Sequence, residues 1–231
     1  MKASQSARER VRAELTREIR EEARRQLAAG GAQRLSVRAV AREIGMVSSA
    51  VYRYFPSRDS LLTALIIDAY EALGATAEAA DAGQPRSGLR ARWRAVCHAV
   101  RNWAVAHPHE YALIYGSPVP GYHAPPETIA PASRVGIVLG RLLADAWAGD
   151  EAGEIPGDRL TPLLAKQADA LSAAIGPGVP GPVILRGLIA WTQLFGMISF
   201  ELFGQLVGTV EPADDFFRDA VEQMADFAGI R

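Results

Sequence analysis

Ser36–Arg58, SVRAVAREIGMVSSAVYRYFPSR, reads as a short helix, a tight turn and a second short helix closed by a proline. Ser36 is placed as an N-cap, its hydroxyl accepting a backbone N–H that the first helical turn leaves unpaired. Val37, Val40, Ala41 and Ile44 follow at i, i+3, i+4 and i+7, one apolar helix face. Gly45 stands where a helix ends in a left-handed residue, a conformation that glycine adopts without a Cβ penalty. Val47–Tyr54 resumes helical spacing, with Ala50, Val51, Tyr54 and Phe55 available to pack inward. Pro56 ends that run and Ser57 is placed to cap the next helix. Two short helices about a glycine turn make a helix-turn-helix, whose second helix can lie in a DNA major groove. Plain corners of helical bundles share the pattern, so the exposed face of the second helix decides between the two.

That face carries Ser48, Ser49, Tyr52 and Arg53, and no carboxylate. Hydroxyl, phenol and guanidinium groups donate to phosphates and base edges, whereas a carboxylate would be repelled by the DNA backbone. The run Val37–Leu62, with AREIGMVSSAVYRYFPSRDSLL at its centre, resembles the DNA-binding domain of TetR-family transcriptional regulators. The marks are the Gly45 turn, the Tyr52-x-Tyr54-Phe55 cluster and the basic Arg58 three positions after Phe55. The likeness is tight over the N-terminal quarter and loose beyond it. It implies an all-α protein with a three-helix DNA-binding head over residues 6–66 and a helical ligand-binding and dimerisation domain over 67–231. It also implies that Val47, Ser48, Ser49 and Arg53 face bases or phosphates, that Tyr52, Tyr54 and Arg58 meet phosphates, and that Ser36 and Arg38 belong to the same surface. Arg58 stands where a lysine is commoner, which keeps the charge and changes its geometry.

The charge distribution agrees. Residues 1–58 hold 13 Lys/Arg against 6 Asp/Glu, a net of +7, and the remainder holds 12 against 20, a net of −8. A basic head on an acidic body is the distribution expected of a nucleic-acid-facing tip. With 231 residues, 49% of them hydrophobic, a sizeable core is within reach. No arginine-poor apolar run of 18 residues stands out, so no membrane span is expected. The charged N-terminus, MKASQSARERVRAELTREIR, lacks the apolar core of a signal peptide. Cys97 is the single cysteine, which excludes an internal disulfide and fits a reducing cytoplasm.

Residues 6–29 have the spacing of a first helix with Val11, Leu15, Ile19, Ala23 and Leu27 as its buried stripe. Near its start, Arg8, Arg10 and Arg12 are within reach of a phosphate. Further helices are predicted from Ser57 to about Ala79, over 89–106, from Pro108 to about Ile114, over about 127–147, near 159–175, over about 183–207 and over about 213–228. The loops between them include GQPRSG at 83–88, GSPVPGYHAPP at 116–126 and the polar GDEAGEIPGD at 149–158. The penultimate helix, with Trp191, Leu194, Phe195, Ile198, Phe200, Leu202 and Phe203, leaves almost no polar face. Gly187, Gly196 and Gly204 offer another backbone a close approach. A helix buried in its own bundle shows the same pattern. A homodimer is preferred, because two heads fit a two-fold operator. The segment WTQLFG also resembles the Trp-x-x-x-His-Gly motif of one TetR subgroup, with Phe195 in place of the histidine.

No catalytic constellation assembles. Cys97 and His98 are sequence neighbours that point apart on a helix, and His107 and His109 lack a third and fourth ligand at usable spacing. Neither metal nor cofactor is implied, and no phosphate-cradling glycine loop is present. The pocket candidates are Trp93, Cys97, Trp103, Tyr111, Tyr115, Arg141, Gln193 and Met197, with Tyr122 and His123 on the proline-rich loop as a lid. The reading is a regulator that binds a palindromic double-stranded operator and releases it on taking a small, fairly apolar effector. A small helical enzyme and a protein-interaction module without DNA binding are the alternatives.

Overall fold

The computed structural model describes residues 2–148 and 160–231, and every regular element among them is helical. The α-helices are α1 (Lys2–Gly30), α2 (Val37–Glu43), α3 (Ser48–Val51), α4 (Arg58–Ala82), α5 (Leu89–Ala106), α6 (Pro108–Tyr115), α7 (Ile129–Ala148), α8 (Pro162–Ile175), α9 (Gly181–Leu202) and α10 (Asp214–Ala228). The polar loop expected at 149–158 lies outside the described residues. The chain divides into two compact units, Met1–Tyr70 with His107–Pro131, and Glu71–Ala106 with Ala132–Arg231.

The first unit is built on the turn between α2 and α3. Ser36 caps α2, its Oγ accepting from the Ala39 N–H at 3.3 Å. Gly45 takes φ +69°, the Met46 N–H donates to Ala41 O at 2.8 Å and the Gly45 N–H to Arg42 O at 3.2 Å. These two bonds are the Schellman closure, which satisfies carbonyls that the end of α2 would otherwise orphan. The second helix is shorter than its spacing predicts. After Val51 the backbone tightens, with Arg53 N–H donating to Ala50 O and Tyr54 N–H to Val51 O, both three-residue bonds. Pro56 is the physical reason, since it disfavours helical backbone at the residue before it. Ser57 and Ser60 then cap each other reciprocally at the start of α4, Ser60 N–H to Ser57 Oγ and Ser57 N–H to Ser60 Oγ, each 3.0 Å.

Val37, Val40, Ala41, Val51, Phe55, Leu61, Leu62, Leu65 and Ile66 form one core with Ile19 and Ala23 of α1. The buried stripe of α1 starts later than predicted. Ile19, Ala23 and Leu27 are buried, Leu15 is half-buried and Val11 is 58% exposed. The α1 stripe extends about two turns past the point where the core begins to cover it. The segment 107–131 returns to this same core, where Leu113, Ile114, Val119 and Tyr122 pack against it. Tyr122 Oη and Thr63 Oγ1 share a 2.9 Å hydrogen bond, and the Tyr70 hydroxyl donates to Ile114 O at 3.3 Å. Asp68 accepts from Arg20 and Arg24, and Arg24 also pairs with Glu110 at 3.3 Å.

In the second unit α5 supplies the apolar spine, with Trp93, Val96, Cys97, Val100 and Ala104 buried. Trp93 Nε1–H donates to Val221 O of α10 at 2.9 Å. Two arginines are sunk into the same helix. Arg92 is wholly buried and donates to Asp81 and Asp145, both at 2.7 Å, while Arg101 donates to Glu201 and Asp214. Glu222 of α10 accepts from Arg90 and Arg94. The Arg94 hydrogen bond, ahead of the Arg90 one, holds its carboxyl down at about 2.

α4 and α9 are long and apolar enough to cross a membrane by length and composition, against the expectation that no segment would be. In α4 the apolar residues are mostly interior, and α9 packs on α8, α10 and α5. The helix expected to reach Val207 stops at Leu202, because Gly204 and Gly208 both take positive φ. Of the three glycines expected at a close approach, Gly187 lies against Leu143 of α7, Gly196 has open space and Gly204 lies past the helix end. Gly140 makes a close approach to another helix's backbone, where a Cβ would stand 2.3 Å from Ile175 O. Gly140→Ala is therefore expected to destabilise the protein by about 1–3 kcal/mol, the usual cost of overpacking. Denaturant unfolding checks it, and an unchanged midpoint would contradict the close approach.

Candidate nucleic-acid interface

The α2–α3 turn presents one edge to solvent. Val51 at 0% and Phe55 at 5% exposure fix the inner side of this segment, and Tyr52 and Arg53 between them turn outward. Val47 is 70% exposed, Tyr52 39%, and Ser49 and Arg53 are exposed beside them. Ser48 is half-buried at the helix start, and Arg38 is exposed on α2. No carboxylate occurs between Ile44 and Arg58, so the edge holds donors and one apolar side chain only. Groups of this kind can hydrogen-bond phosphate oxygens and base acceptors, and an exposed valine offers van der Waals contact to a thymine methyl.

Other residues of the sequence-derived set are engaged inside the head. Ser36 uses its hydroxyl as the cap of α2. Tyr54 is half-buried, packs on the head core, and has the Arg12 guanidinium 5.4 Å from its ring centroid. Arg58 is half-buried, with Nε donating to Leu35 O at 3.2 Å and Nη2 to Ala32 O at 2.8 Å. In this structure its guanidinium therefore clamps the turn between α1 and α2, the 3-10 segment Ala32–Arg34. A planar, multi-donor guanidinium can hold two carbonyls at once, which a lysine ammonium does with less geometric definition.

The expected pocket residues fall into both units. Tyr111, Tyr115, Tyr122 and His123 belong to the first. There Tyr111 is buried with its ring centroid 5.2 Å from that of Tyr115, whose hydroxyl burial pushes up in pKa. Tyr122 packs on the head core and bonds Thr63, while His123 is exposed. Trp93, Cys97, Trp103, Arg141, Gln193 and Met197 belong to the second unit. Trp93, Cys97 and Trp103 are buried on α5, and burial pushes the Cys97 thiol up, so it stays protonated. Met197 is half-buried, and Arg141 and Gln193 are exposed. The Trp191 and Phe195 rings pack at a 55° tilt with centroids 5.4 Å apart, so the phenylalanine in place of a histidine fills space against the indole. Among the described residues no cluster of three His, Cys, Asp or Glu side chains could hold a metal ion.

Sequence periodicity did not show that Thr63 and Tyr122 meet, because the contact joins residues 59 positions apart. Arg92 and Arg101 are buried although a charged residue on an amphipathic helix reads as surface.

Two family models match the chain. Residues 19–65 match the tetR family of bacterial regulatory proteins, and residues 93–224 match the tetracyclin repressor-like C-terminal domain. The HTH-type transcriptional regulator Rv1816 of Mycobacterium tuberculosis is 43% identical over 205 residues, covering 86% of this chain and 83% of its own. SCO4313, taken to be a regulatory protein, has a crystal structure that superposes with a TM-score of 0.77 at 31% identity, covering 94% of this chain and 98% of that one. PfmR of Thermus thermophilus, a TetR family transcriptional regulator, shares the fold with a TM-score of 0.52 at 19% identity, over 89% of this chain and 96% of its own.

The hydrogen bonds of Arg58 make a test on the protein alone. Arg58→Ala is expected to cost about 1–2 kcal/mol of stability through its two lost charge-assisted bonds. Arg53→Ala, on the exposed edge, is expected to change stability by less than about 0.5 kcal/mol. Denaturant unfolding of the two variants measures both, and equal midpoints would contradict the clamp.

Proposed function

We infer that this chain, which belongs to the TetR family of DNA-binding transcriptional regulators, is a repressor that holds a palindromic operator and releases it when a small, fairly apolar molecule binds. It is a regulator and not an enzyme, as its relatives are. Regulators of this family bind DNA operators and small-molecule effectors and act as dimers. The observation that carries the finer reading is the edge Val47–Arg53, donor-rich, free of carboxylates and set in a head of net charge +7. In it Ser48, Ser49 and Arg53 read base edges, Val47 touches a thymine methyl, and Tyr52 with Arg38 meets phosphates. The half-buried Tyr54 packs on the head core and Arg58 ties down the Ala32–Arg34 turn, so both act on DNA binding through the head that carries the edge.

A homodimer supplies the second head. Leu163 of α8 and Leu188, Ile189 and Phe200 of α9 are large apolar side chains left exposed, at 68%, 39%, 51% and 54%. An apolar surface of this extent supports a second copy as its cover. Effector binding works as a population shift. A molecule that prefers the conformer with misplaced heads weakens operator binding by the ratio of its affinities for the two conformers. In the second unit, Trp93, Trp103 and Met197 are the aromatic and soft apolar groups that fit such a molecule, with Arg141 and Gln193 available to orient it. Tyr111, Tyr115, Tyr122 and His123 are a separate candidate set in the first unit. The protein works in the cytoplasm, where the DNA is.

Single-base substitution across the operator, read by binding at fixed salt, tests the roles. Arg53→Ala is expected to lose about 1–3 kcal/mol and to relax preference at one base position. Tyr52→Phe is expected to weaken binding evenly across operator variants, because phosphate contacts carry no sequence information. An even loss for Arg53→Ala, or a single-position loss for Tyr52→Phe, would contradict the assignment.

A further inference from the structure

The first turns of α1 are helix that the head core does not use. Residues 7–14 are exposed, Val11 among them at 58%, and the fully buried stripe begins only at Ile19. Their composition is cationic, with Lys2, Arg8, Arg10 and Arg12 against the single acid Glu9 in residues 1–12. Arg8 and Arg12 are four residues apart and so share a face, separated by a rise of about 6 Å. That face is walled off on its far side. Ala7, Arg8, Val11, Arg12 and Tyr54 line an open groove of about 430 Å³, and the Arg12 guanidinium sits 5.4 Å from the Tyr54 ring centroid.

We propose that this groove takes the sugar–phosphate backbone of duplex DNA flanking the recognised site, extending the head's contact along one strand. The inference rests on the DNA-reading role of the α2–α3 edge given above. Three features favour that occupant. Tyr54 lines the groove and lies two residues from Tyr52 of the reading edge, so the groove and that edge belong to the same short segment of the head. The groove lining contains two arginines and no carboxylate, and its other α1 residues, Ala7 and Val11, are small and apolar. A second open groove of the head, about 550 Å³, lacks this character. It holds Glu22 and Glu43, whose carboxylates already pair with Arg25 at 2.6 Å and Arg42 at 3.2 Å. A polyanion thus meets two arginines and no carboxylate in the first groove, and three arginines against two carboxylates in the second.

Backbone contact of this kind is indifferent to sequence and steep in salt, each phosphate neutralised adding about 0.9 to the log–log salt slope. The test compares the selected operator trimmed to its recognised bases with the same operator lengthened by about half a helical turn of arbitrary sequence at each end. Wild-type protein is expected to bind the lengthened duplex more tightly and with a steeper salt slope, whatever the added sequence. Arg8→Ala with Arg12→Ala is expected to bind both duplexes alike, with a slope shallower by roughly 0.9 for each arginine withdrawn from contact. Arg8→Lys with Arg12→Lys is expected to keep the wild-type slope, which separates loss of charge from loss of fold. The proposal is overturned if wild type binds trimmed and lengthened duplex equally, or if the double alanine variant keeps the wild-type preference and slope. Failure of every protein to bind even the trimmed operator would instead overturn the reading of the α2–α3 edge.

Discussion

The interior burial of Val51 and Phe55 is the constraint on which the exposed edge of the helix-turn-helix depends. A helix of four residues has no stability of its own, because nucleation costs more than so few hydrogen bonds return. It exists because Val51 and Phe55 are sunk in the core with Val40, Leu61 and Leu65, and because the closure at Gly45 sets where the chain leaves α2. With one side fixed that firmly, the other side has no freedom of orientation. Val47, Ser49, Tyr52 and Arg53 face water as a consequence of what lies beneath them. Pre-organisation of this kind lowers the entropy lost when a partner binds.

The second unit obeys a different constraint. Arg92 and Arg101 are buried charges, and each is tolerated only because two carboxylates complete it. Such pairs contribute little net stability against a well-packed apolar alternative, yet removing one partner leaves a costly unpaired charge. They act as registers. Arg92 joins α4 and α7 to α5, and Arg101 joins α9 and α10 to it, so helices that apolar packing alone would let slide are tied at defined points. Interhelical ion pairs of this kind restrict a helical domain to a small number of discrete packings.

Where a feature depends on neighbours in sequence, the residues announce it. Ser36, Gly45, Pro56 and Ser57 mark caps, a left-handed turn and a stop through their own chemistry, and each does in the structure what that chemistry dictates. The basic head and the carboxylate-free edge are legible for the same reason. Features that depend on distant neighbours are not. Val11 carries the period of a buried stripe, but periodicity does not say how far along α1 the core extends. The return of residues 107–131 to the head core leaves no periodic trace, so Tyr122 reads as part of a lid when it bonds Thr63. Arg92 reads as a solvated face because the partners that neutralise it, Asp81 and Asp145, come from two other helices. Gly196 and Gly140 look alike in sequence, and only the three-dimensional packing shows that a backbone crosses at the second.

All of this comes to bear on whether the edge from Val47 to Arg53 selects DNA by sequence. Repeated selection of a random duplex library by the intact protein at physiological salt answers it directly. The account predicts convergence on one sequence arranged as two inverted half-sites. A library that stays random through successive rounds would contradict it.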